Sequence, residues 1–268
     1  MNQNSKKLTI IGGGNLGSAI AKGIIASNLM PASAITVTRR RINMLKELQQ
    51  QGIAVTANNP EAVSAADIVI LAIKPYQIDH ICQEIAPALK PGCIIVSVAT
   101  GIELAKLQQH FQSGRPIFRA MPNTAIEIGE SITCLSAINS TPEQDEMIVN
   151  IFNKVGIAVI IPEELMGAAT ALGACGIAFA LRFIRAATQA GIEIGFGSKL
   201  ASQIVSQTVK GAAELIIRNE SHPEEEIDKV TTPRGVTISG LNEMEHHGFS
   251  SSLIKGVITS YKKIEGIN

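Results

Sequence analysis

Leu8-Thr9-Ile10-Ile11-Gly12-Gly13-Gly14-Asn15-Leu16-Gly17 decides the fold, because a short apolar run breaks directly into glycines that open a helix. A strand followed at once by such a turn is the setting of a dinucleotide site. Gly12 makes the tight turn, Gly14 lets backbone N–H groups approach a pyrophosphate, and Gly17 lets the helix pack closely on the strand. Phosphate charge then meets the helix N-terminus, where the N–H groups of the first turn, with Asn15 and Leu16, have no intrahelical partner. A glycine-rich turn can also be purely structural; the βαβ context favours the dinucleotide reading.

The next strand, Ala34-Ile35-Thr36-Val37-Thr38, ends about twenty residues past Gly17, where an NAD site places an acidic residue on the ribose hydroxyls. Here the sequence has Arg39-Arg40-Arg41 instead. Planar guanidinium donors match a phosphate and an acidic side chain repels it, so Arg39 and Arg40 are expected to favour NADPH, with NADH a weaker alternative. The competing reading is a solvated first turn of a helix over Ile42 to Gln51. Cations at a helix start oppose its dipole, so three in a row ask for an anionic partner.

Composition narrows the function classes. The chain has 268 residues, with 23 Lys and Arg against 23 Asp and Glu. A neutral balance without a long basic stretch points away from nucleic acid and from a membrane surface, towards a small-molecule substrate. Cys82, Cys93, Cys134 and Cys175 are scattered, without Cys-x-x-Cys or histidine at ligand spacing, so no metal site or disulfide framework is expected. Reduced thiols and the polar start Met1 to Lys7, which has no signal-peptide core, suggest a cytoplasmic protein. The apolar run Met166 to Leu181 is short for a bilayer span and is followed by Arg182 and Arg185, so it reads as a buried helix.

Strand candidates at Leu8 to Ile11, Ile35 to Thr38, Ile68 to Ile73, Ile94 to Val98, Ile117 to Ala120 and Ile132 to Leu135 alternate with helical patterns. Such alternation predicts a doubly wound α/β domain of Rossmann type. Thr141-Pro142 starts a further helix whose apolar face is Ile148, Ile151, Phe152 and Val155, and Val155 to Ile161 reads as a last strand. Pro162-Glu163-Glu164 marks a boundary, giving domains 1–162 and 163–268. Beyond it only helices are expected: Leu165 to Gly191, Ser198 to Arg218, Glu224 to Val230, one opening after Pro233, and Ser250 to Ile264. Gly167 to Ala180 is dominated by glycine and alanine. A helix apolar on nearly all sides must be enclosed, and in so small a helical region a second copy of the chain is the natural cover. A homodimer, or an assembly of dimers, follows.

Three strands end in unusual sequences: Leu71-Ala72-Ile73-Lys74-Pro75, Ser97-Val98-Ala99-Thr100-Gly101 and Arg119-Ala120-Met121-Pro122-Asn123-Thr124. Each alone reads as a loop, but in a doubly wound sheet all three converge on the ligand crevice beyond the strand ends. Ala72, Lys74, Pro75, Ala99, Gly101, Met121, Pro122 and Asn123 are therefore expected to line the cofactor site with the glycine turn, and Asn59 is expected to join them. The opening Ile-Gly-Gly-Gly-Asn-Leu-Gly-Ser-Ala-Ile, the strand end Leu-Ala-Ile-Lys-Pro, the segment Arg119-Ala-Met-Pro-Asn-Thr and the late Val230-Thr-Thr-Pro-Arg-Gly-Val-Thr-Ile238 resemble Δ1-pyrroline-5-carboxylate reductase in matching order over nearly the full length. The resemblance implies a Rossmann domain followed by an interlocking helical dimerisation domain. It also implies hydride transfer from NAD(P)H to the ring C=N of pyrroline-5-carboxylate, giving L-proline in proline synthesis.

A ring nitrogen that protonates near neutral pH makes an electrophilic iminium, so the protein mainly has to align donor and acceptor. No catalytic histidine is demanded, and His80, His110, His222, His246 and His247 read as surface residues. For the substrate carboxylate, Pro233 presets a first helical turn whose free N–H groups at Gly235, Val236 and Thr237 form an anion site, or else an ordinary capped helix. By the resemblance, Thr237 also brings its hydroxyl to the ring nitrogen as the catalytic residue, and Thr232 matches the Ser or Thr before the proline. Two departures stand out: Pro233-Arg234-Gly235 replaces Pro-Gly-Gly, and Gly173-Ala174-Cys175-Gly176-Ile177-Ala178 replaces Ser-Gly-Ser-Gly-Pro-Ala. Two alternatives remain open at this point. One is an NADPH-dependent reductase of another cyclic imino acid or small oxo acid. The other is a dinucleotide-binding interaction protein without turnover.

Overall fold

The computed structural model describes residues 6–267. The first part alternates strand and helix: β1 (Leu8–Ile11), α1 (Asn15–Ala26), β2 (Ile35–Thr38), α2 (Lys46–Gln50), β3 (Ala54–Thr56), α3 (Asn59–Val63), β4 (Ile68–Leu71), α4 (Ile78–Ile85), β5 (Ile94–Ser97), α5 (Leu104–Gln108) and β6 (Ile117–Met121). β7 (Ser131–Ile138), α6 (Pro142–Phe152) and β8 (Gly156–Ile160) complete one sheet in the order β3-β2-β1-β4-β5-β6-β7-β8. β1 to β6 pair in parallel. Every residue of β1, β4 and β5 is buried, because helices cover both faces; that is why these strands read as unbroken apolar runs instead of alternating ones. One face packs Ile10, Ile24, Val96, Phe118 and Phe152 together, and the other packs Ile11, Val69, Ile85, Leu107 and Ile117.

The sheet departs from the all-parallel expectation at its far side, where β7 runs antiparallel to β6. Only Pro122 to Glu130 connect them, mostly as a 3-10 helix over Thr124–Ile128, and a parallel return needs a crossover of a dozen or more residues. The sequence reading also missed β3, a three-residue strand at the sheet edge. Its helix over Ile42 to Gln51 is instead a 3-10 turn, Ile42–Leu45, followed by the short α2. The break has a packing cause. A Cβ on Gly13 would lie 2.5 Å from Leu45 Cδ2, so Leu45 occupies the space that the glycine leaves. The start of α6 agrees with its reading: the Thr141 hydroxyl accepts from the Gln144 N–H, and the Gln144 side chain accepts from the Thr141 N–H.

After Pro162 come a 3-10 turn (Glu163–Leu165), α7 (Met166–Ala169), a π-helical turn (Thr170–Ala174), α8 (Gly176–Glu193), α9 (Ser198–Asn219), α10 (Pro223–Val230), α11 (Val236–His246) and α12 (Phe249–Glu265). Residue 162 therefore ends the sheet, but compactness divides the chain later. One unit runs to Ala174 and takes back Ile264–Ile267; the other holds Cys175–Lys263. Within the second unit α8 and α9 approach closely at Gly191, where a Cβ would sit 3.1 Å from that of Ala201. Phe183 and Phe249 meet edge to face with ring centres 6.2 Å apart.

The expected enclosure of the glycine- and alanine-rich helix is not supplied by the chain itself. The helical stretch Glu163–Glu193 is long and apolar enough to cross a membrane by length and composition alone, yet only 17% of its apolar window is buried. The buried residues are Met166, Gly167, Thr170 and Ala171 in the first turns and Thr188 further along.

Candidate active site

The strand order reverses direction of winding at β1 and β4, and the crevice beyond their carboxyl ends is where such sheets bind ligands. The glycine turn sits there with a clear division of labour. Gly12 has φ +104°, and a Cβ on it would run into the Ala72 carbonyl at the end of β4. A Cβ on Gly17 would run into the Gly12 carbonyl and crowd Ile10 and Ala72. These two glycines are needed so that α1 can lie against β1 and β4. Gly14 is different: nothing stands within 4 Å of where its Cβ would be. It is the N-cap of α1 and makes no side-chain cap, so the N–H groups of Asn15, Leu16 and Gly17 begin the helix without a side-chain acceptor. Open space at Gly14 beside uncapped donors fits a dinucleotide pyrophosphate.

β2 fixes the turn from the side. The Thr38 carbonyl accepts from the N–H groups of both Gly12 and Gly13, at 3.1 and 2.8 Å. Arg39 donates from Nη1 to the Gly13 carbonyl at 2.7 Å. Arg39 is therefore not left to a phosphate alone, since part of its donor capacity holds the turn. Arg40 is exposed, and among the described residues it forms no ion pair, so its charge is free. The Thr38 hydroxyl donates to Asn59 Oδ1 at 2.7 Å, which brings Asn59 to the same rim.

The other strand ends complete the crevice in different ways. Ala72 donates its N–H to the Ile11 carbonyl, keeping β4 in step with β1 one residue beyond the strands. Lys74 and Pro75 are exposed just past it. At β5 the Ser97 hydroxyl accepts from the Ala99 N–H, and the chain then turns through Gly101 at φ +74°. At the end of β6, Met121 and the Pro122 that follows it are buried. Asn123 is committed within the protein: its Oδ1 accepts from the Ala125 N–H, and its Nδ2 donates to the Gly173 carbonyl in the π-helical turn. Its backbone is committed as well: the Asn123 N–H donates to Ser131 Oγ at 3.1 Å and its carbonyl accepts from the Ile126 N–H at 3.2 Å, so Asn123 fixes the turn after β6.

Sequence reasoning passed over Glu163. One of its carboxylate oxygens accepts from Arg119 Nη1 at 3.1 Å and from the Leu104 N–H at 2.7 Å. The pair ties β6 and the start of α5 to the turn after the sheet, and the buried Arg119 Nε has no partner. The signal was legible in Ile117-Phe118-Arg119-Ala120-Met121, because an arginine inside a buried strand demands an acid. Glu84, which bonds Asn59, carried no comparable signal. Among the cysteines, burial pushes the thiol of Cys82 up to about 12 and that of Cys93 up to about 11, so neither is a thiolate near neutral pH.

In the second unit the segment Thr231 to Thr237 corrects its reading. The helix begins at Val236, three residues past Pro233. Thr232 to Gly235 instead form a tight turn: the Gly235 N–H donates to the Thr232 carbonyl at 2.8 Å, and Arg234 has φ +60°. Pro at the second position and a left-handed third residue define a type II turn, whose third position ordinarily takes glycine. Gly235 N–H is thus already used and is not a free donor. Gly235 must nevertheless be glycine, because a Cβ would sit 2.5 Å from Thr232 Oγ1. Val236 and Thr237 remain exposed at the start of α11, which has no side-chain cap. Glu226 braces the approach to this turn: Lys229, Ser221 and Asn219 all bond its carboxylate, Lys229 above all, and hold it down to about 2.

Residues 163–267 match the pyrroline-5-carboxylate reductase dimerisation family, and residues 7–101 match the family of NADP oxidoreductases described as coenzyme F420-dependent. Pyrroline-5-carboxylate reductase 2 of Dictyostelium discoideum is 42% identical, over 97% of this chain and 93% of that protein. Pyrroline-5-carboxylate reductase 1 of the same organism is 45% identical over 96% of this chain, which spans about half (49%) of its length. A solved pyrroline carboxylate reductase from Plasmodium falciparum, with NADP bound, superposes with a TM-score of 0.88 at 26% identity, covering 98% of each chain. A glycine turn built for a dinucleotide, a type II turn leading into α11, and these matches over nearly the whole sequence give one conclusion: the chain belongs to the pyrroline-5-carboxylate reductase family.

Proposed function

We infer that the protein reduces 1-pyrroline-5-carboxylate to L-proline with NADPH, as a homodimer in the cytoplasm. The observation that carries the reading is the open cradle at Gly14, flanked by Arg40 and held by Thr38 and Arg39, in a chain of this family. The dinucleotide, when bound, supplies the hydride that adds to the imine carbon, while the ring nitrogen keeps its proton. Asn15, Leu16 and Gly17 hold the pyrophosphate through backbone donors, and Gly14, whose own N–H donates to the Gly12 carbonyl, leaves room for it. Arg40, with the remaining donors of Arg39, receives the 2′-phosphate. Asn59, Ala72, Lys74, Pro75, Ala99, Gly101, Met121 and Pro122 line the rest of the cofactor groove, and Asn123 borders it by fixing the turn after β6.

The substrate carboxylate is received by the uncapped N–H groups of Val236 and Thr237, with Thr232 and Gly235 fixing the turn before them. The Thr237 hydroxyl meets the ring nitrogen and orients the imine. We place the functional division at 162/163, so that the helical part supplies both this turn and the dimer interface. That interface is supported by the dimerisation family match and by the apolar faces that one chain leaves uncovered. Two such dimers associating further is the alternative assembly.

A steady-state assay with pyrroline-5-carboxylate and its six-membered homologue, each with NADPH and NADH, tests this reading. Turnover with the five-membered imine and a lower KM for NADPH are expected; equal cofactor KM values, or turnover with the larger ring only, would overturn it. Thr237→Ala should lower kcat roughly five- to a hundredfold while leaving the cofactor KM in place, because one positioned hydrogen bond is lost. Arg40→Ser should raise the KM for NADPH and leave that for NADH unchanged.

A further inference from the structure

We propose that Glu84 is a positioning residue of the dinucleotide site, fixing which way round the Asn59 amide faces at the rim of the crevice. The inference rests on the cofactor reading above.

Glu84 lies on α4, outside every segment that touches the crevice, and its Oε2 accepts from Asn59 Nδ2 at 3.2 Å. Asn59 Oδ1 in turn accepts from the Thr38 hydroxyl, and the Thr38 carbonyl holds the N–H groups of Gly12 and Gly13. A continuous chain of hydrogen bonds therefore runs from α4 to the glycine turn. The polarity of that chain is set at one end only. An amide can face its partners in either of two orientations, and a threonine hydroxyl accommodates both, donating to the oxygen or accepting from the nitrogen. A carboxylate only accepts. Glu84 thus requires the Asn59 NH2 group to face it, which leaves Oδ1 towards Thr38 and the second amide hydrogen in one defined direction. Without Glu84 both orientations have a partner, and the amide presents a donor or an acceptor to a ribose hydroxyl with no preference between them.

Among the described residues no cation pairs with Glu84, so charge neutralisation is not its role. What Asn59 needs from it is a group that only accepts, and a glutamine side chain, which also donates, imposes no orientation. Non-additivity with Asn59→Ala separates the proposal from a general electrostatic effect.

The test is titration calorimetry of the purified protein with NADP+ and NAD+, for the unaltered chain, Glu84→Ala, Glu84→Gln, Asn59→Ala and the double Ala variant. Glu84→Ala should weaken both dinucleotides about five- to tenfold, with kcat at saturating cofactor and the melting temperature unchanged. Glu84→Gln should weaken both dinucleotides about as much as Glu84→Ala, because its amide suits either orientation of Asn59, and full affinity in this variant would overturn the proposal. The double variant should bind no worse than Asn59→Ala alone, since residues acting through one bond do not add. Unchanged binding in Glu84→Ala, or independent and additive losses, would overturn the proposal and leave the cofactor reading standing. An unaltered protein that binds neither dinucleotide would overturn both.

Discussion

The sheet-bearing unit and the helical unit dispose of their apolar residues in opposite ways. In the first, the strands β1, β4 and β5 and the helices against them bury Ile10, Ile70, Val96 and Phe118 completely. In the second, Leu181, Leu200, Ile204, Leu215, Leu253 and Ile254 all face outward, and within the helices only Thr188 and Ala201 are buried. Both units carry many apolar residues. Hydropathy therefore says that a face must be covered but not by which chain, and the two units divide on that point. A sheet covered by its own crossover helices closes on itself. Paired helices joined by short turns leave one side of each pair open, and in the proposed dimer a second copy covers it.

The strongest way to break this contrast is to charge the open face. Leu200→Asp combined with Ile204→Asp places two carboxylates on one stripe of α9, where a partner copy would have to bury them without cations. Burying an unpaired charge costs several kcal/mol, so the dimer should dissociate at micromolar concentration, with a dissociation constant raised on the order of a thousandfold or more. Sedimentation velocity reads this directly. An unaltered dimer would place the interface on another face, and a monomeric unaltered chain would remove the contrast.

A smaller effect is expected where the first unit relies on a polar tie. Glu163→Ala leaves the Arg119 guanidinium buried without its only acid and frees the Leu104 N–H. Removing one partner of a buried pair destabilises by about 3 kcal/mol or somewhat more, and the 30% exposure of Glu163 puts the cost at the lower end. Chemical denaturation should show the loss in the transition of the sheet-bearing unit, while the dimer constant stays near its original value. Arg119→Met with Glu163→Met removes both charges at once and should recover most of the stability, as expected where desolvation offsets the Coulomb gain. A double variant as unstable as Glu163→Ala would show that the tie matters for more than charge balance.

The same contrast explains what was legible in the sequence. The glycine turn announced itself because Gly12 and Gly17 meet backbone that no other residue would clear, and the apolar strands because both of their faces are covered. The cofactor rim was readable at the strand ends for the same reason: local chain geometry decides it. What stayed hidden depends on partners distant in sequence. β3 is short and at an edge, the reversal of β7 is a matter of connection length, and Glu84 and Glu163 act through bonds spanning 25 and 44 residues or more. The start of α11 was misplaced because Pro233 suits both the first turn of a helix and the second position of a type II turn. Only the left-handed Arg234 separates the two, and arginine gives no hint of that conformation.

Arg234 also yields the smallest predicted effect and the one that bears most directly on the substrate turn. At φ +60° an arginine carries a steric cost between Cβ and the following carbonyl of about 1 to 2 kcal/mol that glycine does not. Against that stands the greater backbone freedom glycine brings to the unfolded chain, worth about 0.4 to 1 kcal/mol. Arg234→Gly should therefore stabilise the protein by up to about 1 kcal/mol. The turn itself should persist, since the Thr232 carbonyl and the Gly235 N–H are untouched. If the uncapped N–H groups of Val236 and Thr237 supply the binding of the substrate carboxylate, as proposed, the KM for the imine stays within about twofold, because that exchange removes no donor they provide. Thermal melting and steady-state kinetics on the same preparation separate the two questions. A raised KM with unchanged stability would assign the guanidinium to the carboxylate; a lowered stability would mean that Arg234 gains more from its side-chain contacts than it loses in backbone strain.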